Sequence, residues 1–214
     1  MTSQFGRVHA IQTLGTVDGP GLRTVIFLQG CPLRCFYCHN PKSWDFSSGT
    51  LMSVDEIVEK ILKFKDYYGE TGGVTLSGGE PTAQAEFASE LFKRLHKHSI
   101  HTALDTAGPI LNPVVRELLN HTDLVILDIK STDSEEFRRI TGGELSNTQE
   151  FLDECLSMGK PLWIRQVIIS GLNDDFKHMD ALSEFLRGKD IERVELLGST
   201  PNLTELQEYF AAGE

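Results

Sequence analysis

The sequence predicts a single-domain α/β protein whose parallel strands form a partial (β/α)6 barrel. Six short runs rich in apolar and β-branched residues are separated, for the most part, by amphipathic stretches of helical periodicity. Strands that alternate with helices pair in parallel through right-handed crossovers. The chain has 214 residues, whereas a complete eight-unit barrel usually needs about 250. Since no internal repeat or linker is apparent, we expect one domain over residues 1–214.

Each predicted strand is a short apolar run, and each predicted helix is an amphipathic segment between such runs. The strands are expected at 24–28, 73–76, 101–104, 124–127, 162–169 and 193–197. The first helix follows an N-cap at Ser53 and runs to residue 64. Further helices are expected at 85–98, 112–119, 148–158, 178–186 and 203–210. In parallel α/β folds the functional residues collect at the carboxyl ends of the strands, so chemistry is expected just after each strand.

The charge balance and the N-terminus bear on the partners and location of the protein. Lysine and arginine number 20 against 31 aspartate and glutamate residues, which gives a formal net charge of -11. Such a chain is a poor match for a nucleic-acid backbone, because Lys and Arg supply most of that affinity. No apolar run approaches the roughly 20 residues that span a bilayer, and residues 1–8 lack a signal-peptide pattern. We therefore expect a cytoplasmic protein that binds neither nucleic acid nor membrane.

Three cysteines lie just after the first predicted strand. Cys31, Cys35 and Cys38 have the spacing CxxxCxxC, and cysteine thiolates are the usual ligands of iron–sulfur clusters. In a reducing compartment such a group is more often a metal site than a set of disulfides. Three thiolates leave one iron of a four-iron cluster open, whereas the alternative, a structural zinc site, would be completed by His39. Cys155, in a predicted helix, is expected to be a buried core residue.

The CxxxCxxC spacing is the signature of radical S-adenosylmethionine enzymes, and two flanking segments narrow the resemblance. An Asp-Gly-Pro-Gly turn at 18–21 precedes the motif, and His-Asn-Pro at 39–41 follows it. With these segments the chain, from about residue 6 to residue 197, resembles the glycyl-radical-enzyme activating enzymes, most closely those that act on pyruvate formate-lyase. The resemblance implies a partial barrel of the radical SAM type, a [4Fe–4S] cluster held by the three cysteines, and S-adenosylmethionine bound at the open iron.

The same resemblance implies the reaction and the partners. In this family one electron from the cluster cleaves S-adenosylmethionine, and the resulting 5′-deoxyadenosyl radical removes a hydrogen atom from a backbone glycine of a glycyl radical enzyme. We expect a partner of the pyruvate formate-lyase type, a flavodoxin or ferredoxin as electron donor, and a monomeric activating enzyme. Three alternatives remain: an activator of anaerobic ribonucleotide reductase, a radical enzyme that acts on a small molecule, and a non-catalytic metal-binding protein.

Two motifs near the start of the barrel are implied to bind the cofactors. Tyr37, within the cysteine motif, is one cofactor-binding residue. Gly78, Gly79 and Glu80 follow the second predicted strand and match the family motif that contacts the amino group of S-adenosylmethionine. Adjacent glycines allow the backbone to approach a ligand closely, and the carboxylate of Glu80 would favour the cationic amino group. The alternative for the glycine pair is an ordinary turn.

Later strand ends supply the remaining cofactor-binding residues that the resemblance implies. Asp105 and Thr106 follow the third strand and Asp128 the fourth; the position of Asp105 approaches the ribose or a nearby monovalent cation. Lys130 and Arg165 match positions near the methionine carboxylate, for which both are natural partners. The alternatives are helix N-caps for the two aspartates, a solvated loop lysine, and an outward-facing arginine in the fifth strand.

Two further features lie at the two ends of the chain. Asp18 lies in the Asp-Gly-Pro-Gly turn, which the resemblance places near the substrate glycine loop, and we expect a catalytic role for it. Turn chemistry alone would also explain the segment. The tail, about residues 198–214, is atypical: it has no counterpart of the family histidine that helps to hold adenine.

Overall fold

The six strands expected from the sequence lie side by side and parallel in one sheet. The computed structural model of the protein describes residues 4–198 and 201–212. Its strands are β1 (Phe5–Gly15), β2 (Arg23–Leu28), β3 (Thr50–Ser53), β4 (Gly73–Gly78), β5 (His101–Thr106), β6 (Leu124–Asp128), β7 (Leu162–Ile168) and β8 (Arg193–Gly198). The order is β3-β1-β2-β4-β5-β6-β7-β8, and neighbours from β2 to β8 are parallel. The open sheet confirms the α/β partial barrel.

Two strands that the sequence did not predict extend the sheet beyond β2. β1 pairs antiparallel with both β2 and β3, and its pairing with β2 is irregular between Val8 and Ala10 and between Gln12 and Gly15. Val8 is its only large apolar side chain in the buried core. The segment therefore lacks the continuous apolar run by which the other strands are recognised.

The helices cover the sheet and agree with the predicted ones except for one addition. They are α1 (Val54–Leu62), α2 (Ala85–His96), α3 (Pro113–Asn120), α4 (Ser134–Thr141), α5 (Leu145–Ser157), α6 (Phe176–Leu186) and α7 (Leu203–Ala212), with 3-10 turns at Pro41–Ser43, Lys65–Tyr67 and Pro81–Gln84. Ser53 caps α1 as expected, in a reciprocal box with Glu56. The unpredicted α4 buries only two large apolar side chains, Phe137 and Ile140, which are too few for a clear periodic pattern. No helix in the described residues is both long and apolar enough to cross a lipid bilayer.

The C-terminal segment follows the prediction where it is described. α7 packs on the core through Leu206 and Phe210, which are both buried. Residues 199–200 and 213–214 of the atypical tail lie outside the described residues. Cys155 is fully buried in α5, as expected for a core residue.

The two faces of the sheet differ in character. Alternate strand residues such as Ile26, Leu76 and Leu127 join the helices in one large apolar core. Residues paired across parallel strands share a face, and their sequence neighbours lie on the other. The register therefore brings polar side chains together on the concave face, away from that core: Arg23, Thr75, Asp105, Asp128, Arg165 and Glu195.

Candidate functional site

All but two of the site residues predicted from the sequence line one pocket at the carboxyl ends of the strands. These lining residues are Cys31, Cys35, Tyr37, Cys38, Gly78, Gly79, Glu80, Asp105, Thr106, Asp128 and Lys130. The remaining two, Asp18 and Arg165, lie beside the pocket, where Arg165 Nη1 is 3.5 Å from Asp105 Oδ2. Residues that are far apart in the chain, such as Asp18 and Arg165, thus meet at one place.

The cysteine loop is held from two sides. Cys31 N donates to Trp44 O at 3.2 Å, which ties the start of the loop to the turn that follows it. Arg34 N donates to Thr141 O at 2.7 Å, so the end of the unpredicted helix α4 supports the middle of the loop. Cys31 and Cys35 are each 8% exposed. The loop therefore presents its sulfur atoms to the pocket from a fixed backbone.

The three thiols can serve as metal ligands once they lose their protons. Burial raises the pKa of Cys31 to about 12 and also raises the pKa of Cys35, so bound metal must displace their protons. Cys31, Cys35 and Cys38 line one pocket, and His39 lines it as well. Three thiolates are a ligand set that fits an iron–sulfur cluster, whereas a zinc site would also need His39.

Gly78 and Gly79 lie where the neighbouring backbone is too close for a side chain. Gly78 has φ +107°, and a Cβ on it would lie 2.5 Å from Leu28 N; a Cβ on Gly79 would lie 2.3 Å from Gly30 O. Such distances exclude any side chain without movement of the backbone. The two glycines therefore let the end of β4 pass directly beside the end of β2, and they also form one wall of the pocket.

Glu80 is a buried carboxylate anchored in its own loop. Its Oε1 accepts hydrogen bonds from Thr82 N at 3.0 Å, Thr82 Oγ1 at 2.7 Å and Thr106 Oγ1 at 2.6 Å. Its Oε2 accepts one, from Ala107 N at 3.2 Å. Burial raises the pKa of Glu80, although these hydrogen bonds oppose the effect. Oε1 is saturated, whereas Oε2 retains acceptor capacity.

Asp128 and Lys130 form an ion pair at the opposite wall. Lys130 Nζ pairs with Asp128 Oδ2 and lies 5.6 Å from the ring centroid of Tyr37. Burial opposes the lysine charge, but Asp128 together with Tyr37 and Cys35 outweighs burial, and the pKa of Lys130 is raised. Asp128 Oδ1 is buried and has no hydrogen-bond partner within the described chain. A buried acceptor of this kind usually serves a ligand or an ordered water, and here it belongs to a residue that lines the pocket.

Arg165 faces inward and is surrounded by carboxylates, so it is not the outward-facing residue considered as the alternative. Its guanidinium is 3.0 Å from Glu195 Oε2, 3.5 Å from Asp105 Oδ2 and 3.8 Å from Asp18 Oδ1. Nη2 also donates to Val17 O at 2.8 Å. Arg165 thereby connects the Asp-Gly-Pro-Gly turn to the strand ends.

Two polar partners oppose the effect of burial on the pKa of Asp105. Burial raises the pKa of Asp105 to about 6, against the effect of the Arg165 charge. Ser77 Oγ donates to Asp105 Oδ2 at 2.8 Å. Sequence analysis did not single out Ser77 or Glu195 as site residues. Ser77 adjoins the glycine pair and could have been included, whereas Glu195 is brought to Arg165 only by the β7–β8 register.

Comparison with known proteins gives a consistent result. The Radical SAM superfamily profile matches residues 25–183. A pyruvate formate-lyase-activating enzyme from Clostridium pasteurianum is 43% identical over 195 residues, covering 90% of this chain and 82% of the relative. One from Staphylococcus epidermidis is 41% identical over 201 residues, covering 90% and 80%.

Solved structures agree with these relatives. A domain of pyruvate-formate lyase-activating enzyme from Bacteroides vulgatus superimposes with a TM-score of 0.60 at 25% identity, over 66% of this chain and 94% of that one. Streptococcus suis SuiB bound to S-adenosylmethionine gives 0.69 at 19% identity, over 86% and 45%, and this likeness concerns the fold. On the sequence identity and the family match, the chain belongs to the radical SAM superfamily and, within it, to the pyruvate formate-lyase-activating enzymes.

Proposed function

We propose that this chain activates a glycyl radical enzyme of the pyruvate formate-lyase type by reductive cleavage of S-adenosylmethionine at a [4Fe–4S] cluster. The observation that carries the proposal is the pocket that joins three thiols to the buried, unpaired Asp128 Oδ1. Cys31, Cys35 and Cys38 would hold the cluster through their thiolates. When bound and reduced, the cluster supplies the electron for cleavage of the sulfonium.

The polar walls of the pocket suit the two charged groups of a bound amino acid. Glu80 Oε2 and Asp128 Oδ1 are the acceptors with spare capacity, and both can receive the N–H groups of an ammonium. Lys130 supplies positive charge for a carboxylate, since its pKa is raised and it stays protonated. These residues thus orient the cofactor, while Thr106 keeps Glu80 in place by its hydrogen bond of 2.6 Å.

Arg165 has a different proposed role from that implied by the resemblance. Its guanidinium already binds Glu195, Asp105 and the carbonyl of Val17, so it organises the pocket rather than offering a free donor fork to a carboxylate. Asp105, 14% exposed and with a raised pKa, is the acceptor proposed for the ribose or a monovalent cation. Asp18 is the proposed catalytic residue that faces the partner's glycine segment.

Further parts of the proposal concern the setting of the reaction. The whole chain is proposed to act as one radical SAM domain, as a monomer, in the cytoplasm. A flavodoxin or ferredoxin is the proposed electron donor. The family relationship is in keeping with this setting.

The proposal is tested by anaerobic reconstitution with a matched pair of cysteine variants. In the wild-type chain we expect about four iron and four sulfide, 5′-deoxyadenosine on reduction with S-adenosylmethionine, and a glycyl radical on pyruvate formate-lyase by electron paramagnetic resonance. Cys35→Ala should lower 5′-deoxyadenosine to background, a loss of at least about a hundredfold. Cys155→Ala, which removes a fully buried thiol from the core, should retain cluster and product.

The outcomes separate the alternatives. One zinc in place of iron and sulfide would rule out the radical reaction. Formation of 5′-deoxyadenosine without a glycyl radical on pyruvate formate-lyase would support radical SAM chemistry but reject this class of partner. Anaerobic ribonucleotide reductase and small-molecule substrates would then be tested. Equal losses of 5′-deoxyadenosine in Cys35→Ala and Cys155→Ala would contradict a specific role of the pocket thiols as cluster ligands.

A further inference from the structure

Arg23 is a fully buried guanidinium that the proposed reaction does not use. It is 0% exposed and lies at the start of β2, on the concave face. Arginine has five N–H donors, and the observed contacts engage all of them with neutral acceptors. The acceptors are Thr75 Oγ1 at 2.7 Å, Pro20 O at 3.0 Å, Thr71 O at 3.4 Å, Val74 O at 2.9 Å and His101 Nδ1 at 3.2 Å.

Burial of the Arg23 charge is energetically unfavourable, so the residue is unlike an ordinary core residue. A buried charge is expensive unless it is paired, and no carboxylate lies within ion-pair distance of Arg23 in the part of the chain that the structure describes. Burial lowers the pKa of Arg23 to about 10, so it is still charged near neutral pH. Burial also lowers the pKa of His101, which keeps its ring neutral and Nδ1 able to accept. What the guanidinium provides is a set of directed hydrogen bonds.

Those hydrogen bonds converge on the turn that contains Asp18. Thr75 Oγ1 accepts from Arg23 Nε and donates onward to Asp18 O at 2.6 Å, and Arg23 Nη1 binds Pro20 O two residues later. Gly19 has φ +120°, and a Cβ there would lie 3.1 Å from Arg23 Cδ and Nε. The glycine thus lets the turn rest directly on the guanidinium.

The turn is also held at its other end. Arg165 Nη2 donates to Val17 O at 2.8 Å and its Nη1 lies 3.8 Å from Asp18 Oδ1. The backbone of residues 17–20 is therefore fixed from both sides by groups of the sheet. The Asp18 carboxylate accepts no hydrogen bond within 3.5 Å from described residues and lies next to Arg165, which contacts the pocket residue Asp105.

We propose that Arg23 and Thr75 are positioning residues that hold the Asp18 turn in the orientation in which it receives the glycine segment of the partner. This proposal rests on the proposed function, because it needs a partner polypeptide at the mouth of the pocket. Neither residue touches the cofactor pocket or the reacting atoms. Their contribution is to the geometry of residues 17–20, and through it to recognition of the partner.

The test compares Thr75→Val with Thr75→Ser in the full-length reconstituted enzyme. Valine matches threonine in shape but lacks the hydroxyl, whereas serine keeps it. In Thr75→Val we expect amide hydrogen exchange of residues 16–22 to accelerate about tenfold, and the KM for pyruvate formate-lyase to rise about tenfold with kcat changed less than about twofold. Thr75→Ser should restore both values to within about twofold of wild type. Iron and sulfide content, expected to match wild type, controls for folding.

The two measurements can fail separately. Unchanged exchange in Thr75→Val would overturn the positioning role, as would equal damage in Thr75→Ser. Accelerated exchange with an unchanged KM would overturn the role in partner recognition. Suppose that wild type makes 5′-deoxyadenosine but forms no radical on pyruvate formate-lyase. In that case the proposed function is wrong, and so is the role of the turn in partner recognition. The hydrogen-exchange measurement would still show whether the Thr75 hydroxyl holds the turn.

Discussion

Arg165 and Arg23 occupy the same concave face and are both buried, but their surroundings are opposite. Arg165 lies among the carboxylates of Asp18, Asp105 and Glu195, whereas Arg23 contacts only neutral acceptors. Burial disfavours the charge at both sites. At Arg165 the nearby Asp105 and Glu195 outweigh burial and its pKa is raised, while at Arg23 burial prevails and the pKa falls to about 10.

The difference separates two uses of a buried charge. A cation that neutralises several buried carboxylates is needed for their burial, so its removal leaves charges without compensation. Arg23 makes no ion pair and is attracted to Asp123 and Asp18 only at longer range, so its value lies mainly in directed hydrogen bonds. We therefore expect Arg165 to matter mainly for stability and the electrostatics of the pocket, and Arg23 mainly for the geometry of the Asp18 turn.

The largest expected effect is the loss of stability in Arg165→Met. This variant leaves the carboxylate of Asp105 buried without its cation and leaves Glu195 with only the exposed Arg193. We expect the free energy of unfolding to fall by about 3–5 kcal/mol at pH 7. Urea denaturation of the apoprotein measures it. Arg193→Met is the matched control, because Arg193 Nε also lies 3.1 Å from Glu195, but with a side chain 56% exposed.

The control should lose no more than about 1 kcal/mol, since exposed ion pairs contribute little. Arg193 also stacks on Trp163, 4.6 Å from the ring centroid, and this contact lies within the same limit. Similar losses in the two variants would contradict the comparison, because they would show that the buried position of Arg165 adds nothing.

The next effect is a pH dependence that Asp105 imposes. Its pKa is raised from 3.8 to about 6 in the folded chain, so the folded state holds a proton that the unfolded state has already released. The contribution of Asp105 to stability is greatest below about pH 4 and is lost as the pH rises through 6. Relative to wild type, Asp105→Asn should therefore gain about 2 kcal/mol between pH 4 and pH 7.

Urea denaturation of both apoproteins across this pH range measures the gain. Ser77→Ala is the control: it removes the hydrogen bond to Asp105 Oδ2 but leaves the carboxyl group, so the pH dependence should persist. A difference between wild type and Asp105→Asn that does not change with pH would refute the raised pKa.

The sequence anticipated the fold wherever local patterns reflect burial. The parallel strands β2, β4, β5, β6 and β7 are short, largely buried runs, and β8 is a short run that is only partly buried. The α1 capping box is visible in four consecutive residues, 53–56. Strands β1 and β3 and helix α4 were missed because each buries few apolar side chains. The two strands are held by pairing with neighbouring strands, and α4 contacts the cysteine loop. A local sequence pattern does not show either kind of contact.

At the candidate site, the sequence predicts which residues at the strand ends lie together, but not the contacts that strand register makes between distant positions. The cysteine loop, the glycine pair and Asp128 were found because strand ends share one edge of the sheet. The contact of Arg165 with Val17 spans 148 positions, and that of Arg23 with Thr75 spans 52. Such contacts depend on the alignment of strands, so the sequence pattern gave Arg23 no function.

The smallest effect on stability, and the one that most sharpens the comparison, is expected for Arg23→Met. The variant leaves neutral acceptors unsatisfied, which is unfavourable, but it also ends the burial of a charge without a counterion. We expect a net loss of about 1 kcal/mol at pH 7 by urea denaturation, well below the loss in Arg165→Met. The KM for the partner should nevertheless rise about as much as in Thr75→Val, because both variants release the same turn. A loss as large as that of Arg165→Met would mean that counter-charge does not distinguish the two arginines, and that hydrogen bonds to neutral groups are sufficient to make a buried guanidinium essential to the fold.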